Sequence, residues 1–269
     1  MIYYHNINQL LKNYYMKSIH KLFSYFGIKV LYRKNFQKLM DEFRLSKIDL
    51  EIISKYCKDL NSLDEYLRIK DYSKSQLRQD IFALFVLNFK KKGFFIEIGA
   101  ADGVHCSNTY LMEKYLYWNG ILVEPLDIYN EKLQHNRNST IDNSIMWSEN
   151  NITKKIYYND EDILKSSIYG SKKKEKNFVE KKTSRLDTLL AKHKIDHPID
   201  YCSIDIEGAE VELLKGFDFK IHINVISIEH NYNIKNREEI YKILKQNNFK
   251  RLGKNFSMYD DYYVNNNIK

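Results

Sequence analysis

Two apolar patterns alternate along the chain. Compact apolar runs recur at Phe94–Ile98, Ile121–Val123, Ile199–Ile206 and Asn224–Ile228. Such runs, rich in β-branched and aromatic residues, predict strands covered on both faces. Between them lie stretches with helical spacing. Leu39, Phe43, Leu45, Ile48, Ile52, Ile53, Tyr56, Leu60 and Leu63 mark residues 36–72 as helical. Further helices are predicted over Ser73–Phe89, Tyr110–Trp118, Leu126–Asn136 and Gly208–Lys215, and in a last stretch through Lys245. Thr140–Met146 and Lys155–Tyr158 read as weaker strands, and Lys250–Leu252 with Met258–Val264 as a closing antiparallel hairpin. Strands alternating with helices of this length predict an α/β fold with a mostly parallel sheet.

The polar residues that punctuate this pattern supply helix ends. Ser73 or Ser75, and Ser107 or Asn108, are candidate caps. Ser184–Asp187 resembles a capping box with Asp in the last place, and Asn236 with Glu239 forms another. Gly216 stands where a C′ glycine would close a helix. Residues 1–72 read as an N-terminal helical cap, and residues 73–269 as the main domain.

Acidic residues collect where the buried strands end. Glu97 interrupts the first strand just before the turn Gly99–Gly103, and a charge there is costly unless it is paired. Gly99 and Gly103 allow a sharp turn and a close ligand approach, and Asp102 adds an acceptor. The third glycine of a dinucleotide fingerprint is missing. Glu124 ends the next strand, where a nucleotide-binding α/β fold holds both ribose hydroxyls on one carboxylate. Asp205 and Glu207 flank Ile206, so they share a face by strand alternation or project together from the strand end. Paired carboxylates there suit general-base work, a bound cation or orientation of a polar substrate. Glu229 and His230 end the following strand, and His is the commonest general base near neutral pH.

Composition changes this picture little. The 269 residues, 43% hydrophobic, allow one sizeable domain with an appendage. The net charge of +8 permits attraction to nucleic acid, acidic glycans or anionic membrane, and chooses none. Cys57, Cys106 and Cys202 are widely spaced and favour a reducing compartment over a disulfide framework. No apolar stretch has transmembrane length, and Ile19–Tyr32 fails as a secretory signal, so a cytoplasmic location is expected. Residues 1–35 mix Tyr and Phe with Lys and Arg. They either lie peripherally on the inner membrane surface or pack an apolar side on the main domain. The lysine-rich segment Lys165–Lys182 reads as a mobile loop able to close over a substrate.

The stretches SQLRQD, FFIEIGAADGVHCSNTYLMEKYLYWNGILVEP, SRLDTLL, IDYCSIDIEGAEVELLKGFDF and VISIEHN resemble, in this order, the FkbM family of S-adenosylmethionine-dependent methyltransferases. The resemblance runs from about Ser73 to Val264. It implies a class I methyltransferase fold, Rossmann-like, with a mostly parallel seven-stranded sheet, helices on both faces and an antiparallel final hairpin. It implies a cofactor-binding set of Gln79, Glu97, Gly99, Ala100, Asp102, Gly103, Ser107, Asn108, Glu124 and Asn143. Within it, Glu97, Gly99 and Asp102 would border the methionine part, and Glu124 the ribose. Asn143 and Ser144 are the adenine candidates.

The expected reaction is O-methylation of a sugar or other small-molecule or glycan acceptor, in surface polysaccharide biosynthesis. Asp205 and His230 are the candidate bases and Glu207 positions the acceptor. A divalent cation held by Asp205, Glu207 and Glu229 is compatible with that chemistry. One rival is a nucleic-acid methyltransferase. With Pro125 and Pro198 the only prolines, the Asn/Asp-Pro-Pro-aromatic and Pro-Cys motifs of base methylation are absent, which leaves ribose 2′-O-methylation. The other rival is a non-catalytic, membrane-associated binding protein on the same fold.

Overall fold

The computed structural model describes residues 33–158, 166, 168 and 177–268. Residues 1–32 of the basic aromatic stretch, and residues 165, 167 and 169–176 of the lysine-rich segment, lie outside the described residues.

Ten strands and eight α-helices are described. The strands are β1 Phe94–Ile98, β2 Asn119–Val123, β3 Thr140–Asp142, β4 Ile145–Met146, β5 Thr153–Tyr158, β6 Asn177–Ser184, β7 Ile199–Ile204, β8 Ile223–Glu229, β9 Phe249–Leu252 and β10 Asp260–Asn265. The helices are α1 Arg33–Tyr56, α2 Leu60–Ile69, α3 Gln79–Val86, α4 Tyr110–Leu116, α5 Asn130–Asn136, α6 Leu186–Lys192, α7 Glu210–Lys215 and α8 Ile234–Gln246. The main sheet has seven strands in the order β3-β2-β1-β7-β8-β10-β9. All pairs are parallel except those of β10, which runs antiparallel to β8 and β9. This is the class I methyltransferase arrangement that the sequence implies. β1 and β7 lie side by side at the sheet centre, and the chain leaves them in opposite directions, toward β2 and toward β8. Ligands of open α/β sheets bind at such a switch point, beyond the carboxyl ends of the strands.

Two buried layers sandwich the sheet. One holds Phe82, Phe85, Phe95, Trp118 and Tyr262, and the other Ile96, Val123, Leu189, Leu213 and Tyr263. Tyr262 and Tyr263 divide between them because adjacent strand residues point to opposite faces. From Ile48 onward the described residues form one compact unit, and residues 33–47 carry the first part of α1. Ile48, Ile52, Tyr66 and Ile69 belong to the same buried cluster as Phe82 and Phe85, so apolar packing runs across the boundary expected at 72/73.

Several local expectations are corrected. The predicted helix over 36–72 is interrupted at Asp59, whose carboxylate accepts from Ser62 N–H at 2.8 Å and starts α2. α3 begins at Gln79 rather than near Ser73. Ser73 and Ser75 do not cap it; both hydroxyls donate to the buried Asp80 carboxylate, at 2.9 and 2.5 Å. The predicted strand over Thr140–Met146 breaks in two, because β3 stays in the main sheet while β4 joins a second sheet ordered β4-β6-β5. Residues 177–182, expected in a loop, form most of β6, paired antiparallel with β5. Neither predicted capping box forms. Ser184 is the last residue of β6, and Asn233 rather than Asn236 caps α8. Gly216 keeps right-handed helical dihedrals, φ −83°. Its need is for space, since a Cβ would lie 2.4 Å from Ser148 Cα.

Candidate active site

The carboxyl ends of β1, β2, β7 and β8 border one cavity of about 480 Å³. That volume suits a small-molecule cofactor or substrate. The loops around it carry a concentration of left-handed backbone: Gly99 (φ 91°), Ala101 (45°), Cys106 (60°), Glu207 (52°) and Asn231 (45°). Each strand delivers its chain to the edge and must turn at once, and the strain collects there.

Glu97 sits 3% exposed on β1, and its charge is answered from three sides. Oε1 accepts from Asn108 N–H at 2.6 Å; Oε2 accepts from Ser107 Oγ at 2.8 Å and Thr109 Oγ1 at 2.5 Å. The guanidinium of Arg137 lies 3.5 Å from Oε2. Arg137 also donates to Glu113, Ser107, Thr109 and the Gly103 carbonyl. Glu97 is therefore the knot that ties the turn after β1 to the start of α4. Sequence reasoning missed Arg137. An arginine in a polar stretch, QHNRNST, carries no mark that it will be buried.

Glu124 forms the second pole. Its Oε2 accepts from Ala101 N–H and its Oε1 from Leu126 N–H, both at 2.8 Å. A carboxylate has about four acceptor positions, so both oxygens keep capacity for hydroxyl donors. Burial pushes the Glu124 carboxyl up to about 7, against those two backbone bonds. A ribose with two adjacent hydroxyls fits this arrangement. Gly99, Ala100, Ala101, Ser144, Ile145 and Met146 continue that wall of the cavity.

The third pole is acidic. Asp205, Glu207 and Glu229 each offer a carboxylate oxygen within 4.8 Å of the others. Ile204 pairs with Ile228, so Asp205 and Glu229 follow at matching places on neighbouring strands. Asp205 opens into the cavity, yet the surrounding wall strips part of its hydration and raises its pKa. Glu229 is raised further, by burial and then by the charges of Asp205 and Glu207. Asp260 stands behind them, pushed up to about 7 by burial.

The expected site residues thus separate into groups. Glu97, Gly99, Ala100, Ser107, Asn108, Glu124, Asp205, Glu207 and Glu229 line the cavity. Gln79, Asp102, Gly103, Asn143 and His230 do not. Gln79 donates to Asp260 at 2.5 Å beneath the floor. Asp102 Oδ1 accepts from the N–H groups of Val104 and His105, which fixes the glycine turn from within. Gly103 is packed against Leu133 and Arg137. Asn143 donates to the Glu124 carbonyl at 2.8 Å, and its neighbour Ser144 reaches the cavity instead. His230 follows Glu229 on the strand and points away from it. Its Nδ1 accepts from Tyr232 N–H at 3.1 Å, and its Nε2 faces Asp261 at 3.9 Å. Burial lowers its pKa.

Asp142, at the end of β3, is absent from the cavity wall for a different reason. Lys192 and His193 hold it at 2.7 and 2.8 Å, and with Ser144 they keep its carboxyl well below the usual range against the cost of burial. Gln76 and Tyr259 close the outer rim; Gln76 donates to Cys106 Sγ at 2.9 Å and accepts from the Tyr259 hydroxyl.

A sequence model of the methyltransferase FkbM domain matches residues 97–251. A search of curated proteins gave no match. Among solved structures, an FkbM methyltransferase from Methylobacillus flagellatus KT is similar at 13% identity and TM-score 0.42, over 78% of this chain and 60% of that one. A precorrin-6y C5,15-methyltransferase from Geobacter metallireducens GS-15 is similar at 11% identity and TM-score 0.39, over 69% and 85%. A ribosomal protein L11 methylase from Lactobacillus delbrueckii subsp. bulgaricus is similar at 11% identity and TM-score 0.39, over 70% and 76%.

Proposed function

The chain belongs to the FkbM family of S-adenosylmethionine-dependent methyltransferases, and on that premise we propose that its acceptor atom is a hydroxyl oxygen of a sugar or another small polyhydroxylated molecule. The observation that carries this reading is the acidic pole. Asp205, Glu207 and Glu229 line one end of the cavity, and no Lys or Arg lines it among the described residues. Carboxylates there accept hydrogen bonds from hydroxyls and take up a hydroxyl proton.

Glu124 would hold the ribose of the cofactor, with Gly99 and Ala100 leaving room for its approach. When bound, S-adenosylmethionine supplies an electrophilic methyl group on a sulfonium centre. The chain's own part is to align the acceptor beside that group and to receive the proton. Asp205, open to the cavity, is the candidate base, and Glu207 and Glu229 orient the acceptor. Surface polysaccharide biosynthesis in the cytoplasm is the setting we assign. Among the described residues no helix is long and apolar enough to cross a membrane.

Calorimetric titration with S-adenosylmethionine, beside Glu124→Ala, tests the cofactor site. A methyl-transfer screen over nucleotide sugars and surface glycans then tests the acceptor. Transfer to RNA ribose with none to any sugar would replace this reading by the nucleic-acid one.

A further inference from the structure

A polar row crosses the apolar centre of the sheet. Glu97 on β1 lies beside Ser203 on β7, and Ser203 lies beside Ser227 on β8. Residues paired across strands share a face, and Tyr201, two places before Ser203, points the same way. Tyr201, Ser203 and Ser227 are each at most 2% exposed. Their hydroxyls bond to one another: Tyr201 lies 2.6 Å from Ser227 Oγ, which donates to Ser203 Oγ at 3.4 Å. Apolar side chains of the same shape would serve a core about as well as such a chain of hydroxyls. Stability alone therefore does not account for it.

The row ends at Asn108. Its Nδ2 donates to Ser203 Oγ at 2.9 Å, so the serine holds the donor end of the amide and leaves the acceptor end turned away from it. Asn108 is 6% exposed, it lines the cavity, and its Oδ1 has no hydrogen-bond partner among the described residues. A buried amide oxygen without a donor costs free energy that a ligand's donor recovers. The place of the residue is fixed separately, since its backbone N–H donates to Glu97 Oε1 at 2.6 Å. The side chain is left to meet a ligand.

The cavity selects the kind of donor. Carboxylates line it, and no Lys or Arg does among the described residues. An unpaired acceptor in such a wall favours a cationic N–H donor over a neutral one. S-adenosylmethionine carries one charged donor of that kind on its methionine part, the α-ammonium; its sulfonium has no hydrogen to give. We propose that Tyr201, Ser227 and Ser203 are positioning residues that aim Asn108 Oδ1 into the cavity, where it accepts from that ammonium. The proposal rests on the methyltransferase reading, with Glu124 on the ribose of the same molecule.

Calorimetry on the full chain tests this by comparing S-adenosylmethionine with 5′-methylthioadenosine, which keeps the adenine, ribose and sulfur but lacks the amino-acid tail. Asn108→Leu should weaken S-adenosylmethionine at least about tenfold, the scale of a hydrogen bond to a charged group. Ser203→Ala, which leaves Asn108 in place but frees its amide to turn, should weaken it about threefold or more. Both variants should bind 5′-methylthioadenosine within about twofold of wild type, a split that a general loosening of the fold would not produce. Circular dichroism checks folding, and Ser227→Ala replaces Ser203→Ala if the latter does not fold. Variants that weaken both nucleosides alike, or neither, overturn the ammonium site and leave the methyltransferase reading standing. Loss in Asn108→Leu with none in the serine variants overturns the positioning role. Folded wild-type protein that binds neither nucleoside overturns the methyltransferase reading itself, and the proposal with it.

Discussion

A Cβ built on Gly99 falls 1.9 Å from the carbonyl oxygen of Asp205. The turn after β1 and the end of β7 are therefore in backbone contact, fastened by the Asp205 N–H to Ile98 carbonyl bond of 2.9 Å. The cofactor turn and the acidic pole cannot be displaced independently. Gly99→Ala should fail twice, through the clash and through its φ of 91°. A residue with a side chain costs about 1–3 kcal/mol in such a backbone region, with the clash still to be added. We expect a lower melting temperature and at least about tenfold weaker S-adenosylmethionine binding, about 1.4 kcal/mol. Unchanged affinity in calorimetry would show that the two loops separate freely.

Glu124 links cofactor affinity to pH. Its carboxyl is raised to about 7 by burial, so near neutral pH a fraction of the free protein is protonated there. Two ribose hydroxyls need the ionised form as acceptor. Affinity should rise as pH climbs toward 7 and level off above it, by about tenfold per unit on the acid side. Binding at pH 6 should release a proton, seen as a dependence of the calorimetric heat on buffer ionisation enthalpy. Glu124→Gln should flatten the profile. The same shift acts on folding with the opposite sign. This carboxyl stays protonated in the native chain where the unfolded chain has ionised. Its contribution to stability is full below the usual carboxylate range and is lost as pH rises through about 7.

Arg137 is 3% exposed and stands between Glu97 and Glu113. Removing one partner of a buried ion pair leaves the other charge stranded, at a cost of about 3–5 kcal/mol. Arg137→Met should lose stability on that scale in urea unfolding. Adding Glu97→Gln to it should restore part of the loss, because one stranded charge is then gone. A loss under about 1 kcal/mol would mean that water reaches this network.

The two candidate bases separate by placement. Asp205 lines the cavity, whereas His230 is turned toward Asp261 beneath it. With an acceptor that turns over, Asp205→Asn should lower kcat by about 100-fold or more, the usual reach of a general base. His230→Gln should change kcat by no more than a few-fold while lowering the melting temperature. The reverse result would reassign the proton acceptor.

Much of the site is legible in the amino-acid sequence. Glu97, Glu124, Asp205 and Glu229 are each the polar interruption at or just past the end of an apolar strand, Gly99 is the turn after the first, and in a parallel sheet all such ends share one edge. Other residues that the sequence singles out take partners that no local pattern names. Gln79 meets Asp260, Asn143 turns under Glu124, and Ser75 serves Asp80 rather than a helix end. A capping motif names what a side chain is able to bond, while tertiary packing decides which donor arrives.

The amino-acid sequence determined the alternation of strands and helices, the family, and the acids and glycines that end the strands, because periodicity and punctuation are local properties of a chain. The tertiary structure alone decided that Arg137 is the charge answering Glu97, that Asp142 is tied away from the cavity, and that Asp205, Glu207 and Glu229 meet within 4.8 Å. Those facts depend on which elements pack together across the sheet. A buried charge is tolerated only where that packing brings it a partner, and no local pattern records who the partner will be.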